Sequence, residues 1–173
     1  RQLDMGKIRF QVDFAEKPLD AAGMDQVRFL MSANLGEELK PINKIASGGE
    51  LARIMLAMKN VLSEQDHVAT MVFDEVDTGI SGKTARKIGI KLSEIGRRTQ
   101  VLCITHSAQI ASLADRHYKI VKKEENGRAA STFTLLDEKE RVLEIGRILG
   151  GLSVSEAQIC AAAEMIEEGK KYR

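Results

Sequence analysis

The chain has 173 residues, enough for about one domain at ~150 residues per domain, with 43% apolar and 29% charged residues. That composition excludes a disordered chain, and the net charge of +1 is too small to announce a nucleic acid or a basic partner through a global field. Aromatics make up 4% with no Trp, which counts against a base-stacking module, and no apolar run approaches the ~18 residues of a membrane span.

Residues 7–14 alternate, with Ile8, Phe10, Val12 and Phe14 on one side, which predicts a half-buried strand. Pro18 and Gly23 break it, 26–33 reads as a second strand, and 34–46 as a loop containing Pro41. From Ser47 the period changes. Leu51, Ile54, Met55, Met58, Val61 and Leu62 recur at helical steps and define a core-facing stripe. Val68 to Phe73 is an apolar run broken only by Thr70, as expected of a strand covered on both faces. A helix over 82–97, a buried strand over 99–104 and a short helix after Thr105 follow. Residues 116–123 and 130–136 flank the turn Glu125-Asn126-Gly127-Arg128 as a hairpin, and 138–149 and 154–168 are closing helices. The middle order of helix, strand, helix, strand implies parallel strands joined by crossover helices, an α/β layer.

Chemistry concentrates at the ends of these elements. Ser47-Gly48-Gly49-Glu50 heads the first long helix. A capping box accounts for Ser47 and Glu50. Two glycines exceed what a cap needs, and a helix N-terminus with bare backbone suits a phosphate. Asp74 and Glu75 close the apolar strand Met71-Val72-Phe73, where α/β sheets place ligands. Successive strand residues face opposite ways, so the two carboxylates have different tasks: one holds Mg²⁺, the other orients a water. The plainer alternative is an acidic turn after a core strand. His106 ends the next buried strand and is, taken alone, a capping residue as readily as a catalyst.

Other patterns are weaker. Cys103 and Cys160 read as free thiols of a reducing compartment. Zinc is not expected, because Cys103 and His106 lack a second ligand pair at close spacing. Gly82-Lys83-Thr84 resembles the end of a G-x-x-x-x-G-K-[ST] phosphate loop, but Asp77 stands where its first glycine belongs. Lys83, Arg86, Lys87 and Lys91, followed by Arg97 and Arg98, form a basic stripe: a solvated face, or a surface for DNA phosphates.

In this order the motifs resemble the C-terminal half of an ABC-type ATPase head, with Ser47-Gly48-Gly49 as signature, Asp74-Glu75 as Walker B and His106 as the switch histidine. The segments 44–57, 72–82, 104–106 and 145–151 are similar, more narrowly, to the RecN family of SMC-like DNA repair proteins. Asn-Leu-Gly at 34–36 departs from the family's usual Asn-Pro-Gly, and Gly-Ile-Ser-Gly at 79–82 from the Ala-Leu-Asp style of SMC and transporter relatives.

The resemblance implies an α/β fold, the C-terminal half of a P-loop NTPase head of ABC/SMC type, with a β-hairpin and C-terminal helices. Residues 1–6 would end a coiled-coil arm and 7–173 form the C-terminal lobe. The Walker A lobe would lie elsewhere in a longer protein, so this chain alone is expected to be inactive. The same resemblance implies ATP and Mg²⁺ as cofactors. Ser47, Gly48, Gly49, Glu50 and Asp77 would meet nucleotide, Asp74 the metal, and Glu75 and His106 the reacting water and γ-phosphate. Its partners would be the N-terminal lobe, a second head and DNA, in the bacterial cytoplasm at the nucleoid, with no membrane. The head of another SMC-like or ABC-type ATPase is the alternative, and an inactive interaction module a further one.

Overall fold

The computed structural model describes residues 8–32, 36–44, 48–62, 68–125, 128–151 and 153–172. The expected arm end at 1–6 and Ser47 lie outside them. The chain opens with an antiparallel sheet of β1 (Arg9–Asp20), β2 (Gly23–Ser32) and the short β3 (Lys40–Pro41). β1 does not stop at Pro18; its register merely slips between Glu16 and Asp20. β1 is an edge strand, and an outward-facing position tolerates a residue without an N–H. Phe10, Val12, Phe14, Val27 and Phe29 share one face, and Phe10 stacks on Phe29 at 5.7 Å between ring centroids. That face is not half-buried as the alternation predicts: Phe14 is 66% exposed.

After the 3₁₀ turn Ile42–Lys44 come α1 (Gly48–Leu62), β4 (Thr70–Asp74), α2 (Gly82–Gly96) and β5 (Gln100–Ile104). β4 and β5 pair in parallel, Thr70 against Gln100 through Asp74 against Ile104, with α2 as the crossover. Ser81 caps α2 by accepting the Thr84 N–H at 3.4 Å. The core forms where Met71 and Phe73 of β4 meet Leu56 of α1 and Ala85, Ile88, Leu92 and Ile95 of α2.

Two expectations about burial are corrected here. The strands are covered on one face only: Val72 is 63% exposed, and Leu102 and Ile104 beside it are exposed too. α1 buries Arg53, Ile54 and Leu56, while Leu51, Met55 and Val61 are exposed. Apolar periodicity reports which side chains can be buried, and among the described residues nothing covers these.

A second cluster joins α3 (Ala108–Ala111), α4 (Glu138–Gly150) and α5 (Glu156–Gly169) around Ile145, Ala162 and Ile166. Capping boxes start both long helices, Asp137 with Glu140 and Ser155 with Gln158. Buried Arg141 of α4 donates to the carbonyls of Ala111, Ser112 and Ala114, closing the C-terminal end of α3. The hairpin of β6 (Tyr118–Glu125) and β7 (Arg128–Leu135) is tied to α4 by Lys119 and Glu144 at 2.6 Å. α5 is tied to α2 by Arg86 and Glu168 at 2.8 Å, with the Arg86 guanidinium over the Tyr172 ring. No helix among the described residues is long and apolar enough to cross a membrane.

Candidate active site

The parallel register ends β4 and β5 side by side, so the residues after Asp74 and after Ile104 emerge at one edge of the sheet. At the end of β4 the chain turns sharply. Glu75 takes a left-handed backbone, φ +56°, unusual for a residue with a side chain. The turn closes with the Thr78 N–H donating to the Glu75 carbonyl at 3.2 Å, and Gly79 supplies a second positive φ of 72°. Asp74 and Glu75 are both exposed. Each is a hard oxygen donor, and among the described residues no group of three or more His, Cys, Asp or Glu side chains gathers as a metal site.

The third acid of the segment behaves differently. Asp77, which the resemblance assigns to the nucleotide, has a side chain 2% exposed and turned into the protein. Its Oδ2 accepts the Thr105 hydroxyl and the His106 N–H at 3.1 Å. The His106 Nδ1 stands 3.5 Å from the same oxygen, while the ring as a whole is 81% exposed. The Thr105 Oγ1 accepts the Ser107 N–H at 3.0 Å. The loop after β5 is thus wrapped around one buried carboxylate of the loop after β4.

α1 reaches the same place from its other end. Buried Arg53, on the second turn of the helix headed by Gly48 and Gly49, donates to the Thr78 carbonyl at 3.1 Å. The Glu50 side chain falls outside the described residues. Sequence reasoning missed both Arg53 and Thr105. A charged residue between Leu51 and Ile54 was the available signal for Arg53; nothing local marked Thr105.

Cys103, on the inner face of β5, has its thiol pushed up to about 12, by burial first and then by Asp77 and Asp74. It stays protonated near neutrality, and so is a core side chain there rather than a thiolate ligand or nucleophile. An open groove of about 350 Å³ runs between α1 and β4, lined by Ala52, Met55, Lys59, Val68 and Val72, with Asp74 at its end.

No family model matches the chain. Among curated proteins it is 43% identical over 172 residues to the DNA repair protein RecN of Halalkalibacterium halodurans, covering 96% of this chain and 30% of that protein. It is 43% identical over 155 residues to RecN of Bacillus subtilis, covering 90% of this chain and 27% of that protein. This is a RecN-type sequence. It spans under a third of the length of those RecN proteins.

Among solved structures, the RecN-type chain is similar to the Smc head domain with a coiled coil and joint from Pyrococcus yayanosii. The TM-score is 0.59 at 19% identity, over 98% of this chain and 27% of that one. The Smc head domain of Pyrococcus furiosus bound to the C-terminal domain of ScpA gives 0.55 at 20% identity, over 83% and 34%. At that identity the likeness is one of fold: the RecN-type chain has the α/β fold of an SMC head.

Proposed function

We propose that this chain is the C-terminal part of an ATP-hydrolysing head in a RecN-type DNA repair protein of the bacterial cytoplasm. The observation that carries this reading is the placing of Asp74, Glu75 and His106 at one sheet edge by the parallel pairing of β4 and β5. Ligands of open α/β sheets bind at the carboxyl ends of strands.

Phosphoryl transfer needs positioning and charge neutralisation more than covalent chemistry. Glu75 orients the attacking water, and its left-handed backbone turns the side chain out of the strand's alternation to do so. Exposed His106 meets the γ-phosphate. Gly48 and Gly49, opening α1, with Ser47 before them, offer backbone N–H groups to the γ-phosphate of a nucleotide held by a second head. Asp74 would hold Mg²⁺, which supplies charge neutralisation on the phosphate oxygens when bound.

The uncovered apolar surface supports a missing partner lobe. Val72, Leu102 and Ile104 on β4 and β5 and Met55 on α1 stand exposed. An N-terminal lobe carrying the Walker A loop covers the outer face of β4 and β5 and the α1–β4 groove in this reading. The isolated chain accordingly lacks turnover of its own.

ATP turnover decides it. This chain is assayed alone and mixed with the N-terminal segment of its parent protein, each with a Glu75→Gln counterpart. Turnover only in the mixture, lost in the Gln variant, is the expected result. Turnover by the chain alone, or an undiminished Gln variant, overturns the proposal.

A further inference from the structure

Asp77 ties the loop after β4 to the loop after β5. Its Oδ2 holds three groups of one short segment: the Thr105 hydroxyl, the His106 N–H and, at 3.5 Å, the His106 Nδ1. Its Oδ1 is buried without a hydrogen-bond partner among the described residues. The carbonyl of Thr78, the next residue, accepts from Arg53 of α1. The Asp77 carboxylate therefore sits at the meeting point of α1 and the two strand ends.

Resting on the ATPase reading above, we infer that Asp77 is a positioning residue that sets His106, rather than a nucleotide ligand. It fixes the His106 backbone through the N–H and turns the Nδ1 edge of the ring inward. The Nε2 edge is left for a phosphoryl oxygen. Misplacing a reacting group by about 1 Å costs on the order of a hundredfold in rate, so a tether of this kind reads out in kcat. Its effect is carried entirely by the imidazole it orients, and this separates it from a packing role.

The test is a double-mutant cycle on ATP turnover by the full-length protein, with Asp77→Ala, His106→Ala and the double variant. Asp77→Ala is expected to lower kcat about tenfold or more while KM for ATP stays within about twofold. The double variant is expected to be no slower than His106→Ala alone, because residues that act through one another are not additive. Asp77→Asn keeps one acceptor oxygen and should retain more kcat than Asp77→Ala. Asp77→Asn also replaces Asp77→Ala in the cycle if the alanine variant does not fold. Losses that multiply in the double variant, an unchanged kcat in the single, or a KM that rises along with the fall in kcat each overturn the inference. Glu75→Gln run in parallel separates the two readings. Undiminished turnover there removes the ATPase proposal and the role of Asp77 with it, whereas lost turnover with multiplying Asp77 and His106 effects removes only the latter.

Discussion

Glu75 pays a conformational cost for its left-handed backbone, φ +56°. A left-handed backbone costs a residue with a Cβ about 1–2 kcal/mol that glycine does not incur. Glu75→Gly and Glu75→Ala both remove the carboxylate, so their difference isolates the backbone. The glycine variant is expected to be the more stable by about 1 kcal/mol, read as a higher denaturation midpoint. Equal midpoints would mean that the backbone at 75 is not left-handed in solution. The location of Asp74, Glu75 and His106 was legible in the sequence, because an apolar run ending in a polar residue marks a strand end. The inward turn of Asp77 was not. It depends on the φ of Glu75 and on Thr105, 28 positions away, and neither leaves a local pattern.

Among the elements, α2 carries the basic stripe, and the structure divides it. Arg86 is engaged with Glu168, Lys91 with Glu94 at 2.6 Å, and Arg97 with the Tyr172 carbonyl at 3.4 Å. Lys83 and Lys87 are exposed. If this face meets DNA, Lys83→Glu with Lys87→Glu in the full-length protein should weaken binding and flatten its salt dependence, about one unit of slope per lost phosphate contact. An unchanged slope removes α2 from the DNA surface. The link between the β6–β7 hairpin and α4 is a different matter. Burial opposes the charge on Glu144, but hydrogen bonds from Arg147 and Lys119 outweigh it and hold the carboxyl below its ordinary 4.5. His117 is held below its ordinary 6.5, by burial first and then by Arg141.

Both shifts act in the same direction on stability. In each case the unfolded chain takes up the proton first, so acid favours unfolding. The His117 contribution begins to be lost below about pH 6.5 and the Glu144 contribution below about pH 4.5. Glu144→Gln is expected to flatten the lower limb in thermal melts across pH and to steepen the upper one, because the Glu144 charge partly offsets the lowering of His117. The parallel pair β4–β5 was readable from the helix–strand alternation. The uncovered faces of β4, β5 and α1 were not, because a hydrophobic stripe states what a residue can pack against and not what is present to pack.

For the molecule as a whole, those uncovered faces set its behaviour as an isolated chain. Phe10, Phe14 and Phe29 on the first sheet and Val72, Leu102 and Ile104 on the second stand in solvent. Contiguous exposed apolar patches and open strand edges drive association. Sedimentation of the isolated chain is expected to show concentration-dependent self-association that the N-terminal segment of the parent protein suppresses. A monomer at all concentrations would indicate that these faces are covered from within.

The pairing of Asp74 with Ile104 has a genetic consequence as well. Only Arg97, Arg98 and Thr99 connect α2 to β5. Because strand side chains alternate, a one-codon insertion or deletion there that slips β5 by a single position turns Val101 and Cys103 outward. It also carries Thr105 and His106 away from Asp77. The β1–β2 turn at Ala21-Ala22 joins strands exposed at that end and bears no such constraint. Length variation among natural sequences of this type should therefore collect at the first turn and be purged from the second connection.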